Sequence, residues 1–160
     1  MEVSLKYAVV ERERRYLIAA LPDGVVETRR IVDRYINGTR LRLREVTHAD
    51  GTVVRKLTQK VRMTVGPTEI ACTNFYLDDA EWHLLLTLPA RTLVKTRHLL
   101  ARDGLQFAVD QFADGTLVAE CDDGDRAPTE PPEWLAVLAD LTDDEQWTGA
   151  SLAAGSVAGE

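Results

Sequence analysis

"RIVDRYINGTRLRLREV", residues 30–46, has the pattern of two strands joined by a tight turn. The Asn-Gly pair at 37–38 is favoured in two-residue hairpin loops, because both residues tolerate a positive φ. After the turn, Arg40, Arg42 and Arg44 alternate with leucines, and residues two apart on a strand point to the same face. The stretch therefore predicts an antiparallel hairpin with one apolar face and one cationic face.

Similar segments occur before and after this hairpin. Each is short, rich in apolar or β-branched residues, and bounded by Gly, Pro, Asp or Asn; they lie at residues 9–17, 52–63, 68–77, 92–101, 105–113 and 116–122. The predicted turns between them are at residues 22–24, 49–51, 66–67, 103–104 and 114–115. Short strands joined by tight turns in this way predict an antiparallel sheet that curls or closes.

The sequence also predicts three helices. The first covers residues 79–88, is capped by one of two neighbouring aspartates and ends at Pro89. The second covers 132–141, where a proline starts a periodic apolar stretch. The third is a short helix within 142–153, capped by Thr142.

The length of 160 residues predicts a single domain over residues 1–160, since a chain of this size buries most of its unfolded surface in one core. A Pro-rich stretch at 126–132 has the composition of a linker. The small and polar residues at 155–160 are expected to form a flexible tail.

The composition favours a globular protein without a membrane segment. Hydrophobic residues make up 45% and charged residues 28%, and no apolar run approaches the roughly 20 residues of a membrane span. The N-terminus lacks a signal-peptide pattern, so the expected location is the cytoplasm. Cys72 and Cys121 have no CxxC partner, and two free, buried thiols are expected rather than a disulfide or a metal site.

The net charge of −7 hides a strong division along the chain. Residues 29–62 contain ten Lys or Arg and three acids, whereas residues 110–160 contain thirteen acids and one arginine. In the strand at 52–63, Lys56 and Lys60 share one face. An exposed face more often mixes both signs, since like charges destabilise neighbouring strands. The cationic faces of these two strands therefore predict a phosphate-bearing ligand.

Carboxylates form a complementary pattern. Glu11 and Glu13 share a strand face, Glu120 and Asp122 do the same, and Asp110 lies in the middle of a predicted strand. Each pair alone is compatible with ordinary surface ion pairs. Together with the cationic strands they predict a site for Mg²⁺ or Mn²⁺, which favour carboxylate oxygens combined with substrate phosphates.

In this order along the chain, the motifs resemble those of the CYTH superfamily, the triphosphate tunnel metalloenzymes. The ExExK motif of that family corresponds to Glu11-Arg12-Glu13-Arg14-Arg15, with arginine in place of lysine. The resemblance continues through "LRLR" at 41–44, "LTQK" at 57–60, Glu69, "KTR" at 95–97, "VDQF" at 109–112, "LVAECD" at 117–122 and the C-terminal stretch 131–153. It thus covers nearly the whole chain.

The resemblance implies a mainly β (α+β) fold, an eight-stranded antiparallel β-barrel that forms a hydrophilic tunnel, with short helices outside and a C-terminal helix. The implied ligands of Mg²⁺ or Mn²⁺ are Glu11, Glu13, Glu120 and Asp122. The expected phosphate cradle is Arg40, Arg42, Arg44, Lys56, Lys60, Lys95 and Arg97. Arg40 and Lys56 are included because of their position along the alternating strand pattern more than because of a family motif. The candidate catalytic residues are Glu11, Glu13, Arg15 and Lys95, and the supporting residues are Glu69 and Asp110.

Several positions depart from the family pattern. Arg15 replaces the lysine of the motif, and Pro67 and Ala71 stand where small bacterial relatives carry a basic and an acidic residue. Asp122 stands where Glu is usual, and Trp147-Thr148-Gly149 replaces a Tyr-x-Asn sequence near the C-terminus.

The implied activity is metal-dependent hydrolysis of a small triphosphate by a phosphoric anhydride hydrolase. Inorganic tripolyphosphate is the default substrate, with thiamine triphosphate or a nucleoside triphosphate as alternatives. A non-catalytic protein that binds a nucleotide or organophosphate is a second hypothesis, favoured by Pro67, Ala71 and Asp122, and a class IV adenylate cyclase is a third. The expected partner is a phosphorylated small molecule, not a membrane or double-stranded nucleic acid, and a homodimer is left open.

Overall fold

The computed structural model describes residues 4–63, 69–122 and 130–155, with the side chains of Asp122 and Glu145 excepted. Within these ranges the strands are β1 (Val9–Ile18), β2 (Val25–Ile36), β3 (Leu41–Thr47), β4 (Val53–Arg62), β5 (Glu69–Tyr76), β6 (Ala90–Arg102), β7 (Leu105–Phe112), β8 (Leu117–Asp122) and β9 (Val137–Asp140). The helices are α1 (Asp79–Leu85), α2 (Gly149–Gly155) and a single 3₁₀ turn (Glu145–Trp147).

Eight of these described strands close into an antiparallel barrel. The order of neighbours is β5-β4-β3-β2-β6-β7-β8-β1, and β1 pairs in turn with β5. Strand β1 closes the barrel because it divides its pairing, with residues 9–12 bonded to β5 and residues 13–18 bonded to β8. The predicted eight-stranded antiparallel β-barrel is confirmed.

The turns between strands follow the predicted glycine positions. In the β2–β3 turn Gly38 has a φ of 71°, whereas Asn37 has no positive φ. The loop between Ile36 and Leu41 has four residues, so the hairpin forms as predicted but without the expected two-residue loop. At the β6–β7 turn Asp103 and Gly104 have φ angles of 55° and 74°, which is the conformation of a type I′ hairpin. Because such a turn matches the right-handed twist of its strands, it sets the register in which Arg102 lies opposite Leu105.

The barrel carries its hydrophobic clusters on the outside of its wall. On β1, Tyr16 and Ile18 alternate with Glu13 and Arg15, so the two pairs lie on opposite faces. The outward cluster comprises Tyr16, Ile18, Leu100, Phe107, Val109, Ala119, Cys121 and Leu135. The segment that follows residue 130 covers this cluster, and the ring of Trp134 packs edge-on against Phe107 at a centroid distance of 5.3 Å.

Helix α1 covers a second outward cluster, formed by Ile36, Leu43 and Trp82 with flanking leucines. A capping box starts the helix, since Glu81 N donates to Asp78 Oδ1 at 2.8 Å and Asp78 N donates to Glu81 Oε1 at 3.0 Å. Both cores lie outside the wall, so the interior of the barrel is left for polar side chains.

The predicted helix at 132–141 is wrong, because its second half is strand β9. Leu17 lies opposite Ala139 in the β1–β9 register, and Leu141 N donates to Arg15 O at 2.8 Å. Since β8 bonds to residues 13–18 along one edge of β1, β9 occupies the opposite edge. Backbone groups along this edge of β1 would otherwise lack hydrogen-bond partners. Their pairing with β9 therefore decides the conformation of this segment, against the helical pattern of its sequence.

The third predicted helix begins later than expected, at Gly149 instead of near Thr142. Ser151 N donates to Thr148 Oγ1 at 3.3 Å in the first turn of α2. The hydroxyl of Thr142 instead accepts a hydrogen bond from Arg15 N at 3.1 Å, so this residue joins the tail to β1 and caps no helix.

The predicted turn at 66–67 and most of the predicted linker at 126–132 and tail at 155–160 lie outside the described residues. Both cysteines are buried and neither is in a disulfide, as expected. No helix in the described part of the chain has the length and apolar character needed to cross a membrane.

Candidate functional site

A cavity of about 610 Å³ lies on the inward face of the barrel. Nine Arg or Lys and five Asp or Glu are among the described residues that line it, and this excess of cations attracts anionic ligands. The predicted site residues that line it are Glu11, Glu13, Arg15, Arg40, Arg42, Arg44, Lys56, Lys60, Lys95, Arg97 and Glu120. Closure of the sheet thus brings together charged side chains from five strands and the β2–β3 turn.

Carboxylates from β1 and β8 form one wall of the cavity. The negative charge of Glu120, together with burial, raises the pKa of Glu13 from 4.5 to about 7. Burial also acts to raise the pKa of Glu120, but the charges of Arg97 and other cations outweigh it and lower that pKa. Near neutral pH, therefore, Glu120 is ionised and Glu13 is about half protonated.

The donor chemistry of this wall fits a hard divalent cation. Glu13 and Glu120 are two carboxyl groups close enough for the proton on one to be stabilised by the charge of the other, and a divalent cation relieves such repulsion. Asp122 lies opposite Glu13 in the β1–β8 register. Among the side chains that the structure describes, which exclude that of Asp122, no three Asp, Glu, His or Cys groups converge as metal ligands.

Asp33 holds the arginines of β3 in place. Its carboxylate is fully buried and accepts hydrogen bonds from Arg44 Nε at 2.6 Å and Arg44 Nη2 at 2.7 Å. Burial acts to raise the pKa of Asp33, but the hydrogen bonds and charge of Arg44 prevail and lower it to about 2. The second arginine, Arg42, lies farther away, with its Nε at 3.8 Å from Asp33 Oδ1.

Asp110 plays the same part for the cations of β6. Lys95 Nζ lies 2.5 Å from Asp110 Oδ2, and Arg97 donates from Nε and Nη2 to the two carboxylate oxygens at 2.7 and 2.8 Å. Arg97 Nη2 also lies 3.1 Å from Glu120 Oε2. Burial acts to raise the pKa of Asp110, but Lys95 and Arg97 outweigh it and keep that pKa low.

Arg15 joins the acidic wall to the C-terminal segment. Its Nε lies 3.4 Å from Glu120 Oε1, and its Nη2 donates to the carbonyl oxygen of Trp147. Residues of this segment, including Thr142 and Gly149, line the cavity. The guanidinium therefore contacts the carbonyl of Trp147 and the carboxylate of Glu120 at the same time. A lysine has a compact ammonium in place of the planar guanidinium, so it is less suited to bridge these two groups.

Two predicted residues, Glu69 and Asp110, do not line the cavity. Glu69 lies on the outer face of β5, where its Oε1 is 2.9 Å from Arg12 Nε. Asp110 lies behind Lys95 and Arg97, as a buried counter-ion. The side chain of Asp122, like Pro67, lies outside the described residues.

Sequence reasoning missed Asp33, Tyr35 and the lining residues of the C-terminal segment. Asp33 and Tyr35 share the inward face of β2, and each lies opposite an arginine of β3 in the hairpin register. The alternation of residues predicted that the arginines share one face, but the register belongs to a loop of residues 37–40 and not to a two-residue Asn-Gly loop, so the sequence did not give these partners. No signal in the sequence places Gly149 beside Tyr35, whose hydroxyl a methyl group at Gly149 would overlap.

Comparison with known proteins shows the fold. No protein-family model and no curated protein matches the chain. The crystal structure of the hypothetical protein NE1496 is similar at a TM-score of 0.59 and 24% identity, over 89% of this chain and 97% of that one. A conserved hypothetical protein from Pyrococcus furiosus is similar at a TM-score of 0.54 and 18% identity, over 74% of this chain and 81% of that one. The chain therefore shares its fold with these two hypothetical proteins.

Proposed function

We propose that the chain is a metal-dependent triphosphatase that hydrolyses a small triphosphate, with inorganic tripolyphosphate as the default substrate. The observation that carries this proposal is the arrangement of the cavity, in which a carboxylate wall on β1 and β8 shares one interior with cations of β3, β4 and β6. The motif resemblance to the triphosphate tunnel metalloenzymes supports the same reading.

The chain's own residues would act mainly by positioning and charge neutralisation, since phosphoryl transfer needs little covalent chemistry from the protein. Arg42, Lys56 and Lys60 would bind phosphate oxygens from the strand faces of β3 and β4. Asp33 and Asp110 keep Arg44 and Arg97 rigid, and rigid donors need no reorganisation as charge develops.

Glu11, Glu13 and Glu120 would hold Mg²⁺ or Mn²⁺, with Asp122 as a further candidate from its register position. When bound, such a cation polarises phosphoryl oxygens and lowers the pKa of bound water. Glu13 would have to lose its proton first, which its pKa of about 7 allows at neutral pH.

The test is phosphate release from tripolyphosphate, ATP and thiamine triphosphate in the presence of Mg²⁺ or Mn²⁺. The wild type is compared with the double variant Glu11→Gln plus Glu13→Gln. A matched control is Glu45→Gln, because Glu45 is a carboxylate on the outer face of β3 that pairs with Arg55 at 2.9 Å. We expect hydrolysis by the wild type and the control, and none by the double variant.

A non-catalytic phosphate-binding protein is the second candidate. It is favoured by the absence of a three-residue metal cluster among the described side chains. Tight tripolyphosphate binding without turnover, with either metal, would support it against the enzyme.

A further inference from the structure

The cations that line the cavity differ in whether a carboxylate of the wall already neutralises them. Most have a carboxylate oxygen within 3.4 Å: Arg15 and Arg97 with Glu120, Arg44 with Asp33, Lys60 with Glu11, and Lys95 and Arg97 with Asp110. The positive charge of these residues is largely compensated within the protein. They therefore shape the cavity more than they attract a ligand.

Lys56 differs from them. It is partly buried, lines the cavity and lies opposite Arg44 in the β3–β4 register, yet no carboxylate of the described residues lies within ion-pair distance of its Nζ. Arg40 also lines the cavity without an ion pair in the described set, but it is exposed at the β2–β3 turn, where water screens its charge. Lys56 is thus a semi-enclosed cation that has no counter-ion of its own.

Arg42, diagonal to Lys56 across the β3–β4 ladder, is compensated only in part. Its Nε lies 3.8 Å from Asp33 Oδ1, but the Asp33 carboxylate already accepts two shorter hydrogen bonds from Arg44. Arg42 is 9% exposed, and its Nη2 donates to Thr58 Oγ1 at 3.2 Å. Thr58 Oγ1 donates in turn to Asn74 Oδ1 at 2.7 Å, which fixes the hydroxyl as an acceptor for Arg42. The Nε of Arg42 is buried and finds no hydrogen-bond acceptor among the described residues, a costly state that an incoming anion would relieve.

We infer that Lys56 and Arg42 form the anion anchor of the cavity, the point at which a phosphate group of the ligand is held. This inference rests on the proposed phosphate-binding function and adds to it which of the cradle residues supply the affinity. The neutralised cations Arg44, Lys95 and Arg97 then position the anchor without dominating binding.

The surroundings of Lys56 make anion binding sensitive to pH. Burial, and then the charges of Arg44 and Arg42, lower the pKa of Lys56 from 10.5 to about 8. A bound anion favours the charged form, so binding raises that pKa and takes up a proton near pH 8. The charged or titratable groups that face Lys56 are Arg42 and Arg44 on β3, Cys72 and Tyr76 on β5, and Arg97 on β6.

The experiment is calorimetric titration of the metal-free protein with inorganic tripolyphosphate between pH 6.5 and 9.5. We expect Lys56→Met to lower the association constant by about tenfold to a hundredfold, the loss typical of a charge-assisted contact. Lys56→Arg keeps the charge, so it should bind at pH 7 like the wild type. The ratio of wild-type to Lys56→Arg association constants should then fall as the pH rises above 8. The titration of tripolyphosphate itself cancels in this ratio.

A matched control is Lys6→Met, which removes a lysine that is exposed near the N-terminus and should leave the association constant unchanged. Unaltered binding by Lys56→Met, or the same pH dependence in the wild type and Lys56→Arg, would overturn the anchor.

A second measurement uses the unmodified protein. Pyridoxal 5′-phosphate forms an imine with the free amine of a lysine with loss of water, and borohydride then reduces the imine to a stable secondary amine. The chain has four lysines, Lys6, Lys56, Lys60 and Lys95. We expect the adduct mainly on Lys56 at pH 7.5, and its prevention by excess tripolyphosphate. An even distribution, or labelling that tripolyphosphate does not reduce, would contradict the anchor.

The two proposals fail separately. Binding that depends on Lys56 without hydrolysis would contradict the triphosphatase activity and support the anion anchor. Hydrolysis by a Lys56→Met variant with undiminished affinity would support the activity and contradict the anchor. A wild type that binds no tripolyphosphate would contradict both.

Discussion

Asp33 and Arg44 face each other across the β2–β3 ladder and form a buried, two-point ion pair, with N–O distances of 2.6 and 2.7 Å. No part of the Asp33 carboxylate is exposed. A charge pair enclosed in this way is costly to break, because the partner that remains is left without solvent or counter-ion.

Asp33→Asn should therefore lower the free energy of unfolding at pH 7 by about 3–5 kcal/mol. Because the folded pKa of Asp33 is about 2 and its ordinary value is 3.8, this contribution is complete above pH 4 and is lost as the pH falls toward 2. Urea unfolding of both proteins at pH 7, 4 and 2.5 measures it. Glu45→Gln, which breaks the half-exposed pair with Arg55, is the control and should cost less than about 1 kcal/mol. Equal losses from the two variants would contradict the prediction.

Glu13→Gln should stabilise the metal-free protein at pH 8. Repulsion by Glu120 and burial raise the folded pKa of Glu13 from 4.5 to about 7, so its ionisation costs folding free energy as the pH rises through that window. The variant avoids this cost, so its free energy of unfolding at pH 8 should be higher by about 3 kcal/mol. It should therefore unfold at a higher urea concentration than the wild type. Below pH 4.5 the difference should vanish. A variant less stable than the wild type at pH 8 in EDTA would show that the two carboxyl groups do not repel each other.

Addition of Mn²⁺ should raise the melting temperature of the wild type and leave that of Glu11→Gln plus Glu13→Gln unchanged. A cation that binds only the folded state stabilises it by about 2.7 kcal/mol at one hundred times its dissociation constant. Differential scanning fluorimetry at pH 8, with and without MnCl₂, is the measurement. Ca²⁺ at the same concentration has the same charge but a different size and preferred coordination. It therefore tests whether the rise in melting temperature depends on the kind of cation or on its charge alone. An equal shift in the double variant would place the metal elsewhere.

Gly149→Ala should destabilise the protein, whereas Gly155→Ala in the same helix should not. A methyl group at Gly149 would overlap the Tyr35 hydroxyl, and nothing lies within 4 Å of one at Gly155. Overpacking of this kind costs about 1–3 kcal/mol, which thermal unfolding of the two variants resolves. If both variants melt with the wild type, α2 does not pack against Tyr35 as described.

The strands were predictable because their signals are local. The Asn-Gly turn and the alternation of Arg40, Arg42 and Arg44 predicted the β2–β3 hairpin and a common face for the three arginines. The helix predicted at 132–141 failed for the opposite reason. Strand β9 forms because β1 has an edge to be paired, and that edge exists only once the barrel has closed.

For the candidate site, too, the local features were predictable and the contacts that depend on barrel closure were not. Strand phase predicted that Glu11 and Glu13 share one face and that Lys56 and Lys60 share another, and the cavity lining shows that both faces point inward. It did not predict that Glu69 pairs with Arg12 on the outer face, because that pairing depends on which strand closes against β1.

By itself, the sequence determined which side chains share a strand face and that those faces are polar, since a period of two residues needs no tertiary information. Only the tertiary structure decided which charges neutralise one another. Ion pairs such as that of Lys95 and Asp110 join different strands at distances set by register and closure. Whether a cation such as Lys56 retains its charge for a ligand is therefore a property of the closed barrel, because a counter-ion must come within a few ångströms to compensate it.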